Sequence, residues 1–221
     1  LGYDSIALAD RDNLYGLPEF LYEADRVGLK AIIAAELSSP QADTTALLYA
    51  HGHEGYANLC RVVSERHCRK HFSLAESILA GGEGLRVVTD SVTLIRSLHG
   101  RMPVYYRMQR PHRPPAEITR GDVPCLVVPP MAFAEAGDWL AHRLLRAIDC
   151  NPTLSRLEAS ECLPAHARFR LWDAVREQFE VFDTALDVTE EFGHQIRSRS
   201  QFGATIFPQA ESEQDALELL R

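Results

Sequence analysis

Three carboxylates near the start of the chain stand where an α/β protein could place an active site. Asp10 and Asp12 follow the short apolar run Ile6–Ala9, and Glu36 follows a second apolar run, Ala31–Ala34. If both runs are parallel strands, their C-terminal ends lie on one rim of the sheet, the rim that carries the chemistry of α/β sheets and barrels. These three residues are therefore the first candidates for a functional site.

Two histidine pairs are weaker candidates. His67 and His71 have a spacing that places two imidazoles on one face of a helix and can bind zinc. The residues between them are mostly basic and include no glutamate, so we favour a solvated helix end whose cations face the negative pole of the helix dipole. His51 and His53 follow a third predicted strand and are therefore expected on the functional rim, as a minor alternative.

The segment Gly81–Gly84 lacks the preceding strand and the following helix of a phosphate-binding loop, and we interpret it as a flexible connection. Arg110–Arg113 could contact phosphate, but basic groups in a proline-rich loop more often face solvent.

The elements that would position these residues are predicted from hydrophobic periodicity. Pro18 and Glu19 suit the first turn of a helix that Gly28 ends, and this helix joins the first two strands as a parallel βαβ unit. Ser91 is a predicted N-cap. Further strands are predicted at Thr45–Ala50, Leu85–Val88, Val104–Met108 and Cys125–Val128. Further helices are predicted at Glu54–Arg69, Ser73–Ala80, Ser91–Leu98, Pro115–Arg120, Asp138–Cys150, Arg168–Phe179 and Thr184–Arg197.

Composition narrows the class of protein. The chain has 221 residues, of which 46% are hydrophobic, enough to bury the core of one α/β domain. The formal net charge of −8 argues against a broad nucleic-acid-binding face. No apolar run is long enough to cross a membrane. The five cysteines are scattered without a CxxC pair, which is typical of free thiols in a reducing cytoplasm.

Several of these stretches resemble a known family. LGYDSIALADRDNLYG and GLKAIIAAEL, with HEGYANL at His53–Leu59 and HRLLRAIDCNPTL at His142–Leu154, are similar to motifs of the PHP (polymerase and histidinol phosphatase) domain. The version that they resemble lies near the N-terminus of the bacterial DNA polymerase III alpha subunit. The resemblance implies an α/β fold, a distorted TIM-like (β/α)7 barrel with a helical C-terminal extension.

The resemblance also implies how the chain is divided. The family's first strand, with a His-x-His motif, would precede Leu1 and is expected to be missing from this chain. Residues 1–150 are expected to form the N-terminally incomplete barrel, and residues 151–221 a mainly helical extension. Within that extension, Ile206–Pro208 and the amphipathic Glu211–Arg221 resemble the lead into a polymerase body. The edge left by the missing strand is expected to be covered by another part of the chain or by a second copy.

Members of this family bind up to three metals through His, Asp and Glu at strand ends, and most of the corresponding positions are altered here. Arg11 stands where a ligand histidine is expected, Thr45 where a histidine opens the third strand, and Arg107 where a strand carries a glutamate. A late Asp-x-His pair falls on Pro130 and Ala132.

The resemblance therefore implies a degenerate metal site with no catalytic residue and no cofactor. Glu36 is its remnant ligand, and the rim around it is formed by Asp10, Arg11, Asp12, Thr45 and Arg107. A guanidinium stays protonated and has no lone pair, so an arginine cannot be a metal ligand. We expect Arg11 and Arg107 to pair instead with Glu36, Asp10 or Asp12 as internal counterions.

These substitutions favour a non-catalytic PHP domain of a DNA polymerase III alpha-like protein, with a structural or partner-docking role in DNA replication or repair. The partners that the resemblance implies are the polymerase body and, as a second candidate, a proofreading exonuclease subunit. We expect a cytoplasmic chain with weak or no direct nucleic-acid binding.

Two alternatives stay open. One is a phosphoesterase or 3′–5′ exonuclease acting on phosphate esters or DNA ends, with Zn, Mn or Mg as its cofactor. The other is a free-standing binding module. The parent protein would be a DNA-directed DNA polymerase, while this chain by itself is not expected to be catalytic.

Overall fold

The fold is a six-stranded mixed sheet with helices on both faces. A computed structural model describes residues 2–40, 44–135 and 137–197. The strands are β1 (Ser5–Arg11), β2 (Lys30–Ser39), β3 (Thr44–Ala50), β4 (Leu85–Thr89), β5 (Val104–Met108) and β6 (Cys125–Val127). The helices are α1 (Leu17–Arg26), α2 (Gly52–Cys68), α3 (Leu74–Ala80), α4 (Val92–Leu98), α5 (Ala116–Arg120), α6 (Asp138–Cys150), α7 (Trp172–Gln178) and α8 (Asp183–Gln195). The predicted elements are confirmed to within a few residues at their ends. The motifs at Ile206–Pro208 and Glu211–Arg221 lie outside the described residues.

Local chemistry explains how the first unit forms. β1 and β2 are parallel, as predicted, and their register places Arg11 beside Glu36. Proline lies in the first turn of α1, and Gly28 ends the helix in the left-handed region at φ 71°. Ser91 accepts a hydrogen bond from the Leu94 N–H and so caps α4, which confirms the predicted N-cap.

The strands follow chain order in the sheet, from β1 at one edge to β6 at the other, and β3 is antiparallel to both of its neighbours. The short connection before it cannot hold a crossover helix, so the chain must turn back on itself. The C-terminal end of β3 therefore lies on the rim opposite the C-terminal ends of β2 and β4. The expectation that His51 and His53 stand on the functional rim is wrong for this reason.

Two hydrophobic clusters lie on the two faces of the sheet. Helices α1 to α5 cover one face, where Leu37, Leu48, Val87 and Met108 are fully buried. On the other face Phe192 of α8 packs with a cluster drawn from four strands, whose buried members include Ile32, Ala34, Leu47, Tyr49, Val88 and Leu126. Helices α7 and α8 thus share cores with the sheet, while the boundary at residue 150 stays a prediction.

The position of α8 shows that the sheet curls. The Val127 N–H of β6 donates to Thr189 Oγ1 at 2.8 Å, and Lys30 Nζ of β2 donates to the Gly193 carbonyl at 2.8 Å. Thr189 and Gly193 are separated by about 6 Å along the helix axis. In a flat sheet β2 and β6 would lie about 19 Å apart. The sheet is therefore a curled half barrel, and α8 crosses its concave face.

Residues of the C-terminal part of the chain contact the start of the β1 edge. Tyr3, just before β1, donates to the Arg170 carbonyl at 2.9 Å and packs against Trp172 of α7. Gly193 of α8 lies beside Ser5, the first residue of β1. Another part of the chain thus covers the start of this edge, while no residue of β1 is fully buried, so the expected coverage is present only in part.

Two glycines hold the turn before β4 against the start of α2. A Cβ added to Gly55 would lie 2.2 Å from the Gly84 carbonyl oxygen, and one added to Gly84 would lie 2.6 Å from the Gly55 nitrogen. The Gly84 carbonyl also accepts the His51 N–H at 2.8 Å. The interpretation of Gly81–Gly84 as a flexible connection is therefore corrected, because Gly84 is a close-packing residue.

Replacing Gly84 with alanine should lower the free energy of unfolding by about 2–3 kcal/mol, because it adds a backbone clash to the strain of a positive φ. Gly100 is a matched control, since its φ of 77° resembles the 71° of Gly84 but a Cβ added there would have no atom within 4 Å. Gly100→Ala should cost only about 1 kcal/mol. Urea unfolding of both variants measures the difference, and equal losses would contradict the close contact.

Candidate functional site

An arginine–glutamate ion pair occupies the concave face near the functional rim. Arg107 Nη1 donates to Glu36 Oε1 at 2.8 Å. Glu36 shares its face of β2 with Ala34, and Arg107 shares its face of β5 with Tyr105, so both side chains point into the concavity. β2 and β5 are separated by β3 and β4, and the pair therefore spans the interior of the half barrel.

The ion pair is largely shielded from water. The Arg107 side chain is 13% exposed and the Glu36 side chain 26% exposed. Burial raises the pKa of the nearby Tyr49 to about 12, while the Arg107 charge lowers this pKa and the Glu36 charge raises it. The guanidinium and the carboxylate thus act on a buried phenol in the core, which is the behaviour of an interior ion pair. Part of the predicted internal counterion arrangement, the pairing of Arg107 with Glu36, is confirmed.

Arg11 does not share in this arrangement. It is exposed at the end of β1, although its backbone pairs with Glu36. Among the ion pairs within the described part of the chain, none includes Arg11. The expectation that Arg11 neutralises Glu36, Asp10 or Asp12 is therefore wrong. A parallel register brings backbones together, but an arginine at a strand end can still turn its long side chain to water.

Asp10 and Asp12 stabilise local structure instead of facing Glu36. Asp10 Oδ2 accepts the Gly16 N–H at 2.7 Å, which holds the turn before α1. Asp12 adopts a left-handed conformation with φ 52° and accepts hydrogen bonds from the N–H and the hydroxyl of Ser38, at 2.7 and 2.6 Å. These carboxylates thus tie the end of β1 to α1 and β2.

The contacts between Asp12 and α2 were not predicted from the sequence. Arg66 of α2 lies 3.4 Å from Asp12 Oδ2 and donates to the Ser38 carbonyl at 2.8 Å. His67 Nε2 lies 2.6 Å from the Asp12 carbonyl oxygen. Because α2 ends at Cys68, His71 lies beyond the helix, and the helical spacing of the two histidines is not realised. No sequence signal links these residues to Asp12, since the contact depends on how α2 packs over the sheet.

The other altered positions, Thr45, Pro130 and Ala132, lack the imidazole and carboxylate groups that the resemblance expects there. Thr45 opens β3 on the functional rim, and its carbonyl accepts the Thr89 hydroxyl at 2.7 Å. Pro130 and Ala132 follow β6, and the Ala132 N–H donates to the Ala167 carbonyl at 2.9 Å.

The donor set does not fit the metal centre of the family. Within residues 2–40, 44–135 and 137–197, no three His, Cys, Asp or Glu side chains are grouped so that they could hold a metal ion. Glu36, the carboxylate that the resemblance matches to a family ligand, is engaged by the Arg107 cation. What the arrangement offers chemically is a fixed internal ion pair in place of a set of ligands.

Comparisons with known proteins show what the chain is similar to. A family model described as the PHP domain matches residues 1–109. The chain is similar to the error-prone DNA polymerase of Anaeromyxobacter sp. strain K, with 33% identity over 123 residues, covering 46% of this chain and 11% of that protein. It is also 41% identical over 64 residues to the error-prone DNA polymerase of Corynebacterium efficiens, covering 29% of this chain and 6% of that protein. The chain thus spans about a tenth of these relatives or less.

A search of solved structures finds a candidate metal-dependent phosphoesterase from Bifidobacterium adolescentis, with 12% identity, covering 57% of this chain and 76% of that one. The TM-score is 0.31, too low for a shared overall fold to follow from it. No helix within the described residues is long and apolar enough to cross a membrane. The motifs at both ends of the βαβ unit and the match over residues 1–109 establish that this part of the chain belongs to the PHP domain family.

Proposed function

We propose that the chain is a non-catalytic PHP domain of a DNA polymerase III alpha-like protein, with a structural or partner-docking role in DNA replication or repair. The observation that carries this proposal is the ion pair between Arg107 and Glu36. A divalent metal at Glu36 would have to displace the guanidinium and then lie next to its positive charge. The electrostatic repulsion and the lack of further ligands both disfavour such a site.

The proposed structure of the whole domain is a distorted seven-stranded barrel. The curl of the sheet supports it, since α8 bonds to both β2 and β6. We propose that residues 1–150 form the barrel and residues 151–221 an extension toward a polymerase body. A proofreading exonuclease subunit is the second candidate partner. Five free cysteines support a cytoplasmic location.

The purified chain should bind no stoichiometric metal and should hydrolyse neither nitrophenyl phosphate nor single-stranded DNA when Mn, Zn or Mg is supplied. The physical reason is that one ion-paired carboxylate cannot hold a metal that activates water. Mass spectrometry of metal content and both hydrolysis assays test this expectation.

Glu36→Ala is the control, because trace activity from a contaminant would be the same in both proteins. Metal-dependent turnover that disappears in Glu36→Ala would overturn the proposal and favour a phosphoesterase or exonuclease.

A further inference from the structure

A pocket of about 340 Å³ lies on the rim opposite the functional rim, where β3 ends and where β4 and β5 begin. Its volume is at the lower end of the range for small-molecule sites, about 300–1,000 Å³. The lining joins two kinds of side chain, apolar and basic. The apolar ones include Ile78, Leu79, Leu85 and Met102, and the basic ones are His51, Arg86 and Arg101. A pocket of this composition suits a small molecule that has both a charged group and an apolar part.

The two arginines of the lining carry charges that no carboxylate of the described residues neutralises. Neither Arg86 nor Arg101 takes part in an ion pair within residues 2–40, 44–135 and 137–197. Arg86 is held in place by a neutral partner instead, because its Nη1 donates to the Tyr105 hydroxyl at 3.2 Å. A guanidinium that is oriented without an ion pair can still pair with an anionic ligand.

His51 adds a neutral hydrogen-bond donor to the lining. The Arg197 N–H donates to His51 Nδ1 at 3.3 Å, so the neutral imidazole carries its proton on Nε2. Burial lowers the pKa of His51, and the positive charges of Arg86, Arg197 and Lys30 lower it further. At neutral pH the Nε2–H can therefore donate to an anion, while the neighbouring cations make the potential at the pocket positive.

The charge balance of the lining selects the kind of anion. Glu83 is the acidic residue of the lining, and it is exposed. Two arginines and one glutamate leave an excess of one positive charge, since His51 is neutral. This local excess stands out in a chain whose formal net charge is −8. A ligand with a single negative charge matches it.

We propose that this pocket binds a small organic carboxylate with an apolar body. The two carboxylate oxygens can accept hydrogen bonds from a guanidinium and from His51 Nε2. The apolar body would lie against the apolar side chains of the lining, where its burial adds to the affinity. A phosphate monoester carries about two negative charges and would be repelled more strongly by Glu83. The inference is independent of the proposed function, because the pocket lies on the other rim from Glu36 and uses no metal.

Calorimetric titration of the chain in EDTA tests the site, with hexanoate as the probe. Hexanoate should bind with a stoichiometry of about one per chain, and at least about tenfold more tightly than acetate, which lacks the apolar body, or 1-hexanol, which lacks the charge. Hexyl phosphate should bind at least about threefold more weakly than hexanoate, because of its second charge. Hexanoate should also shift the NMR signals of the His51 imidazole, which places the ligand at this rim.

Single substitutions test which residues hold the carboxylate. Arg86→Met and Arg101→Met should each weaken hexanoate binding at least about tenfold, since each removes a charged donor. Arg11→Met is the matched control, because it removes an exposed arginine from the functional rim and should bind hexanoate like the wild type. Glu83→Gln should tighten binding about threefold, a gain that a merely damaged protein would not show. Circular dichroism establishes that the variants are folded, and the exposed Arg101 keeps the test valid if Arg86→Met does not fold.

A chain that binds no hexanoate at millimolar concentration would overturn the inference. Binding that survives both arginine substitutions, an equal loss in Arg11→Met, or tighter binding of hexyl phosphate than of hexanoate would overturn it as well. None of these results bears on the proposed function, which metal content and the hydrolysis assays test separately.

Discussion

Replacing Phe192 with alanine is expected to lower the free energy of unfolding by about 3–4 kcal/mol. Phe192 is buried on α8, and its ring packs edge-to-face against both Tyr49 and Tyr105, with centroid distances of 5.0 Å in each case. Truncation removes both ring contacts and leaves a cavity between α8 and the concave face of the sheet. Because the same helix bonds to β2 and β6, its loosening should weaken the half barrel as a whole.

Urea unfolding followed by circular dichroism measures this loss. Tyr22→Ala is a suitable control, since this aromatic residue is 68% exposed on α1 and its truncation should change stability by less than about 0.5 kcal/mol. A loss below about 1 kcal/mol for Phe192→Ala would mean that α8 does not close the concave face.

Removing the Glu36 carboxylate should destabilise the protein by about 2–3 kcal/mol. Glu36→Ala leaves the guanidinium of Arg107 without its partner in a site where only 13% of the arginine side chain is exposed. The penalty for stranding a fully buried charge is about 3–5 kcal/mol, and the partial exposure of the pair reduces it. In a metal-binding site the same substitution would mainly remove a ligand, with its largest effect on metal affinity.

A double-mutant cycle separates the ion pair from other effects. The double variant Glu36→Leu with Arg107→Met should be within about 1 kcal/mol of the wild type, since apolar groups of similar volume replace both charges. Arg11→Ala should cost less than about 0.5 kcal/mol, because Arg11 is exposed. If the losses caused by Glu36→Leu and by Arg107→Met, each made alone, simply add in the double variant, the charges do not interact and the role assigned to the pair is wrong.

The ion pair between Arg107 and Glu36 differs from a typical surface ion pair, because it lies where the family resemblance expects metal ligands. Family resemblance places Arg107 at a position where a strand would carry a ligand glutamate, and the described geometry brings that arginine to Glu36, which the resemblance matches to a ligand. The guanidinium thus neutralises the Glu36 carboxylate without a bound ion.

Much of this protein could be predicted from its sequence alone, because the signals involved are local. Apolar runs bounded by turn residues predicted all six strands, and capping chemistry at Pro18, Gly28 and Ser91 predicted helix ends that the structure confirms. The family followed from contiguous motifs around Asp10 and Glu36, which remain recognisable whatever their side chains contact.

Only the tertiary structure decided which side chains meet. Arg11 and Arg107 were both expected to be internal counterions, yet Arg11 faces solvent and Arg107 crosses the interior. A long side chain at a strand end has access to water, while one inside the curl does not. The reversal of β3 moved His51 to the opposite rim, and the packing of α2 brought Arg66 to Asp12. Contacts of this kind depend on the direction of the strands and on the curvature of the sheet. Direction and curvature arise from the summed packing of residues far apart in the chain, so no short stretch of sequence predicts them.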